Sequence, residues 1–251
     1  MQVTIVGWSG SFPGPRSPAS CYLIDTGDFR LVLDVGNGAV GALQQYTDLG
    51  AVDAICLSHL HGDHCLDMIG YSVYQNYHPE GPRPRISVYG PDGTRERLAT
   101  ALGSERPGIA DAFDFTTLAA GTVEIGPLRV STGHVNHPVE TFGFRIEHDG
   151  QVLAYSADTG PSDELVRLAS GADLLLSEAS FLDGPDLRAD LHLTARQAAE
   201  HAARAGVGEL VLTHLVAWND PATSLEQAST AFSGPLQLAS SGLRLLSGPP
   251  A

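Results

Sequence analysis

There is no lysine in this chain of 251 residues: all 14 basic residues are arginines, set against 29 acidic ones. The formal net charge is −15. Such a surface repels phosphate backbones and anionic lipid at long range, which disfavours broad nucleic-acid or membrane-surface binding. Bound cations would reverse the field locally and leave room there for anionic ligands. Cysteine is also scarce. Cys21, Cys56 and Cys65 are an odd count without framework spacing, so a disulfide scaffold is not expected and a reducing, cytoplasmic setting is. No apolar run approaches the roughly 20 residues that cross a bilayer. No basic segment followed by an apolar stretch precedes the first strand, so no secretory leader is expected.

What is present is a core-forming composition, with 43% hydrophobic residues. Roughly 250 residues suit one layered α/β domain, and a single domain over 1–251 is expected. Short β-branched runs predict strands at 3–6, 21–25, 31–34, 54–57, 86–89, 123–125, 128–131, 141–147, 151–155, 174–176 and 209–213. Thr26-Gly27-Asp28 and Asp149-Gly150 are turn chemistry between such runs. Helices are expected at 39–46, 66–77, 94–102, 163–169 and 225–231. The best-marked helix starts at Thr194, where Thr194 and Gln197 have capping-box spacing, and ends at Gly206. The Gly/Pro/Ser-rich stretches 8–20 and 78–84 read as loops, and the tail 247–251 as loose.

The ten histidines are unevenly placed. His59, His61 and His64 fall in Ser58-His59-Leu60-His61-Gly62-Asp63-His64, directly after an apolar strand. Neutral imidazole and carboxylate are ligands for zinc and similar metals. An extended backbone puts His59 and His61 on one face, and Asp63 and His64 address a second point after a turn. Such a cluster suits two metals better than one. Further candidates sit at strand ends: His137, Asp158 after the apolar run at 151–155, and His214 closing 210–214. A carboxylate such as Asp158 is what two mutually repelling cations need between them.

On these residues the chain resembles the metallo-β-lactamase superfamily in its tRNase Z-like branch, and within it the bacterial cyclic-nucleotide phosphodiesterases of that fold. Val6-Gly7-Trp8-Ser9-Gly10-Ser11, running on to Ser17-Pro18-Ala19-Ser20, matches the opening strand and loop, and Leu33-Asp34-Val35-Gly36 the early Asp-Gly element. The resemblance implies an αββα sandwich, two mixed sheets face to face with helices outside. It implies one divalent metal on His59, His61 and His137, a second on Asp63, His64 and His214, and Asp158 bridging them. Zinc is the expected metal, with manganese or iron as alternatives. A water or hydroxide between the metals would be the nucleophile, with a pKa lowered toward ~7. His134 competes with His137, which is preferred because Phe142-Gly143 follows it at the spacing this branch shows. Asp34 reads as a buttress of the His loop that binds no metal.

Asp63, Glu178 and His192 are the expected catalytic residues. Glu178 in Leu176-Ser177-Glu178-Ala179-Ser180 and His192 before the capped helix resemble a dyad of this branch. An alkoxide leaves poorly unless protonated, and a His held by a carboxylate suits that task. His78, His148 and His201 are expected to be exposed and without a role.

The implied reaction is hydrolysis of a 3′,5′-cyclic nucleotide, cAMP first, with tRNA 3′-end processing as the alternative. In tRNase Z enzymes a long arm that grips tRNA lies between the third histidine and the bridging aspartate. Here His137 and Asp158 are 21 residues apart, enough for one hairpin. Together with the acidic balance this favours a small-molecule substrate over nucleic acid. Trp218, Tyr74 and Tyr77 offer faces on which a base could stack, although packing is the ordinary reading of each, and Arg16 could reach a phosphate. A homodimer is expected at the level of the family.

Overall fold

The computed structural model describes residues 1–103, 108–184, 188 and 190–246. The first sheet comprises β1 (Gln2–Gly7), β2 (Cys21–Asp25), β3 (Arg30–Leu33), β4 (Ala54–Cys56), β5 (Ile86–Gly90) and β6 (Phe113–Thr117). The second comprises β7 (Gly121–Ile125), β8 (Leu128–His134), β9 (Phe142–His148), β10 (Gln151–Tyr155), β11 (Leu174–Glu178), β12 (Glu209–Thr213) and β13 (Leu236–Leu238). The chain then returns as β14 (Arg244–Leu245) to pair antiparallel with β1, so both sheets have seven strands. The strand orders are β14-β1-β2-β3-β4-β5-β6 and β13-β12-β11-β10-β9-β8-β7. The helices are α1 (Ala39–Leu43), α2 (Gly62–Cys65), α3 (Met68–Tyr77), α4 (Thr94–Leu102), α5 (Ile109–Ala112), α6 (Asp163–Ala169), α7 (Ala195–Ala205) and α8 (Pro221–Ser229).

Three apolar clusters explain the layering. One lies between the sheets and joins Val3, Ile5, Tyr22 and Leu33 to Phe142, Phe144, Leu153 and Leu176. A second packs Leu43, Met68, Tyr71 and Leu98 on the outer face of the first sheet. The third packs Leu165, Ala198, Ala202 and Ala228 on the outer face of the second. Alternating side chains along each strand feed both faces. The result is the αββα sandwich, with each fully buried Leu, Ile or Phe stabilising it by about 1.5–3 kcal/mol.

The predicted strands all appear, within a few residues at their ends. Three short edge strands, β6, β13 and β14, escaped the pattern because edge strands are brief and half-solvated. The helix predicted from 66 begins at Met68, and a short unpredicted helix, α2, precedes it over Gly62–Cys65 at the end of the histidine loop. The last predicted helix starts earlier, at Pro221, because the Asp220 side chain accepts from Ala222 N–H at 3.1 Å. Asp149 and Gly150 both have positive φ, 48° and 76°, and join β9 to β10 in a tight turn. The capping box of α7 is formed in both directions, Gln197 N to Thr194 Oγ1 at 3.1 Å and Thr194 N to Gln197 Oε1 at 2.9 Å. The tail at 247–251 lies outside the described residues.

The expectation that His78, His148 and His201 are exposed fails. His201 is not exposed but buried, at 4%. It shares the inner face of α7 with Ala198 and Ala205, three and four residues away, and with the adjoining Ala202. Its Nε2 accepts from Ser162 N–H at 3.0 Å, and its Nδ1–H donates to Gln197 O at 2.7 Å. His78 and His148 are half-buried.

Strand direction places the site. β3, β4, β5 and β6 run parallel, as do β10, β11, β12 and β13. β8 and β10 are each antiparallel to β9 and so run the same way. The segments after β4, β8, β10, β11 and β12 therefore gather at one edge of the sandwich. Ser11, Asp34, Ala157 and His214 lie in these loops or their neighbours with φ of 52–64°, a left-handed conformation that costs free energy in non-glycine residues.

Candidate metal centre

The site is built from two groups of donors that share one residue. His59, His61, His137 and Asp158 form the first; Asp63, His64, Asp158 and His214 form the second. Within each group the ligand atoms lie within 4.8 Å of one another. In the first, His61 Nδ1 is 3.1 Å from His59 Nε2 and 3.3 Å from His137 Nε2. In the second, His214 Nε2 is 3.1 Å from Asp63 Oδ2 and 3.3 Å from His64 Nε2. Asp158 divides its oxygens between them: Oδ2 is 3.7 Å from His59 Nε2, while Oδ1 is 3.2 Å from His64 Nε2 and 3.4 Å from His214 Nε2. Each group takes donors from both sheets. His59, His61, Asp63 and His64 follow β4, whereas His137, Asp158 and His214 follow β8, β10 and β12.

The far nitrogens of four of the five rings are occupied, which fixes ring orientation and leaves the near nitrogens facing inward. His137 Nδ1–H donates to Leu191 O at 2.9 Å. His214 Nδ1 pairs with Ser180 Oγ at 2.7 Å, and His59 Nδ1 with Ser58 Oγ at 3.0 Å. His64 Nδ1–H donates to Asp34 Oδ2 at 2.8 Å. Asp34 also accepts from Ser58 N–H at 2.7 Å, Ser58 Oγ–H at 2.8 Å and Tyr155 O–H at 2.7 Å. It is fully buried and touches no candidate metal position, as a buttress should. Two glycines allow the loops to close. A Cβ on Gly36 would stand 1.9 Å from Asp63 O, and one on Gly10 would stand 2.4 Å from His214 O. His134, the competitor of His137, is exposed and 4.0 Å from Glu140.

These residues fit divalent cations. Ring nitrogens converge at 3.1–3.3 Å, close enough for one cation to take lone pairs from several of them at once. Asp158 Oδ1 is buried and makes no hydrogen bond, because His64 and His214 are near but poorly angled. An uncompensated buried carboxylate oxygen is costly, and a cation compensates it. Burial drives the His59 ring well below its usual pKa, with the neighbouring His64 ring acting the same way. Burial also lowers His61 and His137, so both rings are neutral and ready to donate a lone pair at pH 7. The chain thus carries His/Asp clusters able to bind metal ions.

A third group adjoins these two: Glu178, His192 and His214. His192 Nδ1 is 2.9 Å from Glu178 Oε1 and 4.0 Å from Asp158 Oδ2. Glu178 is held by Thr159 N–H at 2.8 Å and Ser180 N–H at 3.1 Å. Burial opposes a charge on His192, but the Glu178 carboxylate outweighs it and the ring is pushed up to about 9. The ring of Phe181 stands edge-on against His192 at 5.2 Å.

Of the aromatic candidates, Tyr74 bonds Asp48 Oδ1 at 3.1 Å and Tyr77 is exposed on the same helix, α3. Trp218 is 71% exposed and meets Phe12 at a ring distance of 5.3 Å. Phe12 carries no local sequence signal, because only the fold brings it to Trp218. Ser180, which bonds His214, was likewise silent: it lies two residues after Glu178, with nothing in the spacing to pair it with position 214.

Residues 29–215 match the family model described as the Beta-lactamase superfamily domain. The chain is 44% identical over 248 residues to "Uncharacterized protein ML1173" of Mycobacterium leprae, covering 96% of this chain and 87% of that one. It is 30% identical over 251 residues to the "Probable metallo-hydrolase YhfI" of Bacillus subtilis, covering 96% and 98%. The crystal structure of YhfI superposes with a TM-score of 0.87 at 28% identity, over 97% of this chain and 98% of that one. Ribonuclease Z of Mycobacterium bovis is 30% identical over 271 residues, covering 95% of each. No helix among the described residues is long and apolar enough to cross a membrane. The chain belongs to the metallo-β-lactamase superfamily, as a metallo-hydrolase of its tRNase Z-like branch.

Proposed function

We propose that the protein is a phosphodiesterase that hydrolyses 3′,5′-cyclic nucleotides, cAMP first, to nucleoside monophosphates. The observation that carries this reading is the Glu178–His192 pair beside Asp158. Phosphodiester cleavage expels an alkoxide, and His192 is a proton donor held at the edge of the donor cluster. His59, His61 and His137 would hold one divalent cation and Asp63, His64 and His214 the other, with Asp158 between. Such cations, zinc first and manganese or iron as alternatives, supply Lewis acidity and a nucleophilic water at neutral pH.

The remaining steps belong to the chain. Glu178 accepts from His192 Nδ1–H and so leaves Nε2–H to protonate the departing 3′ oxygen. Asp63, the more exposed of the two site aspartates, lies 3.1 Å from His214 Nε2 and completes the second donor group. Ser180 and Asn219 fix the His214 loop: Asn219 Nδ2–H donates to Ser180 O at 2.8 Å. The β9–β10 hairpin between His137 and Asp158 closes in two residues and supplies no arm for tRNA.

The identity to ribonuclease Z of M. bovis favours a second reading, removal of RNA 3′ trailers. A matched pair of assays on one metal-loaded preparation decides between them: conversion of cAMP to AMP, and cleavage of a precursor tRNA with a 3′ trailer. Turnover of cAMP with intact tRNA is the expected result. Clean trailer removal with negligible AMP would overturn the proposal.

A further inference from the structure

Trp218 is one of two tryptophans in the chain, and 71% of it faces solvent. Phe12 is 41% exposed, and its ring lies 5.3 Å from that of Trp218 at an interplanar angle of 38°. Exposing two large aromatic faces is costly unless something covers them. Both belong to loops pinned to the same donor, His214. On one side Gly10 lies against His214, and Ser11 N points at His214 Nε2 from 3.4 Å. That nitrogen is the one facing Asp63 and His64. Phe12 is the next residue, so its Cα lies within about 9 Å of the donor atom by standard backbone dimensions. On the other side Trp218 follows His214 by four residues, in a segment tied down through Asn219, Ser180 and His214. The aromatic pair therefore stands at the mouth of the donor cluster.

We infer that Phe12 and Trp218 form a stacking platform for the base of the substrate and set its preference for nucleotides over base-free diesters. This rests on the nucleotide reading above. A phosphate at the donor cluster leaves the base about one ribose away, where it needs a planar apolar surface. In an acidic protein without lysine, stacking recognises a base without adding charge. The pair touches no reacting atom. Its contribution is to substrate binding, so it acts on KM.

The test uses metal-loaded protein and two readouts. In the first, tryptophan emission is followed during titration with AMP or with ribose 5-phosphate. AMP should quench saturably and ribose 5-phosphate should not; quenching should vanish in Trp218→Ala and persist in Trp8→Phe. In the second, KM for cAMP should rise about tenfold in Trp218→Ala and in Phe12→Ala, within the range for loss of one base stack. KM for the methyl riboside 3′,5′-cyclic phosphate, which has no base, should not change. Truncating exposed side chains leaves the core intact, and an unchanged melting temperature verifies this. Turnover of cAMP without quenching by AMP would overturn the platform and leave the phosphodiesterase reading standing. Absence of both would overturn both. A shift in oligomeric state in Trp218→Ala with KM unchanged would assign the pair to a second copy of the chain instead.

Discussion

Replacing Asp34 by asparagine exchanges one oxygen for an NH2 group and removes one charge, at a position that touches no proposed metal. Asn tolerates the left-handed backbone of position 34, where φ is 57°, so the main chain need not move. The carboxylate accepts four hydrogen bonds, one on Oδ1 from Ser58 N and three on Oδ2 from Ser58 Oγ, His64 Nδ1 and Tyr155 Oη. An asparagine that keeps its oxygen at the three-bond site turns its NH2 toward Ser58 N–H. One buried donor is then unsatisfied, at about 1–3 kcal/mol, and the bond to His64 loses its charge assistance. With His64 less firmly oriented, metal affinity should fall about 10–100-fold. Alanine would orphan all four donors and cost several kcal/mol, enough to threaten folding. Chelator-competition titration, with elemental analysis of the retained metal, measures the asparagine variant directly. Wild-type affinity in Asp34→Asn would refute the claim that this carboxylate orients the histidine loop.

His192→Ala should lower kcat far more than it changes KM, and a p-nitrophenyl diester, whose leaving group needs no proton, should recover most of the loss; failure to recover together with loss of metal would assign His192 a structural task. The active form of His192 is the protonated one, present below its pKa and lost as pH rises through it. Glu178 pushes that pKa up to about 9, and cations beside Asp158 would push it back down. The kcat profile should therefore hold at neutral pH and fall on the alkaline side with a midpoint no higher than about 9. A profile flat to pH 10 would exclude His192 as the acid. Asp63→Ala should abolish turnover yet retain one metal, since the His59, His61, His137 and Asp158 group is untouched; near-normal kcat would refute its role. Chelation should inactivate the protein and lower its melting temperature by roughly 10 °C, taking free metal at about 1,000 times Kd. Full activity after exhaustive chelation would exclude a metal centre.

The donor loop was legible because its ligands are sequence neighbours and because an apolar strand runs into it. His137, Asp158 and His214 were legible as strand-end residues, and the parallel strand directions explain why they converge. Less was legible where contacts join distant positions. Nothing in local spacing links Phe12 with Trp218, or Ser180 with His214. His201 is different: positions 198, 201, 202 and 205 share one helical face, and the pattern was in the sequence. A histidine reads as polar in isolation, but a ring bonded at both nitrogens sits comfortably in a core. The edge strands β6, β13 and β14 were invisible because pairing with a neighbour, and not their own alternation, makes them strands.

The order of the strands has a consequence for taking the chain apart. Residues 2–117 contribute all but one strand of the first sheet, and the second sheet runs from Gly121 to Leu238. A break between Thr117 and Gly121 would give two fragments, each with an almost complete sheet and its own layer of helices. Neither fragment holds in full either of the two donor groups that share Asp158: one keeps His59, His61, Asp63 and His64, and the other His137, Asp158 and His214. The apolar face between the sheets supplies affinity for reassociation, but any rebuilt metal site must draw on both partners. Co-expressed halves should thus behave as a split protein whose complementation is tunable by free divalent cation, a property that a single uncut chain conceals.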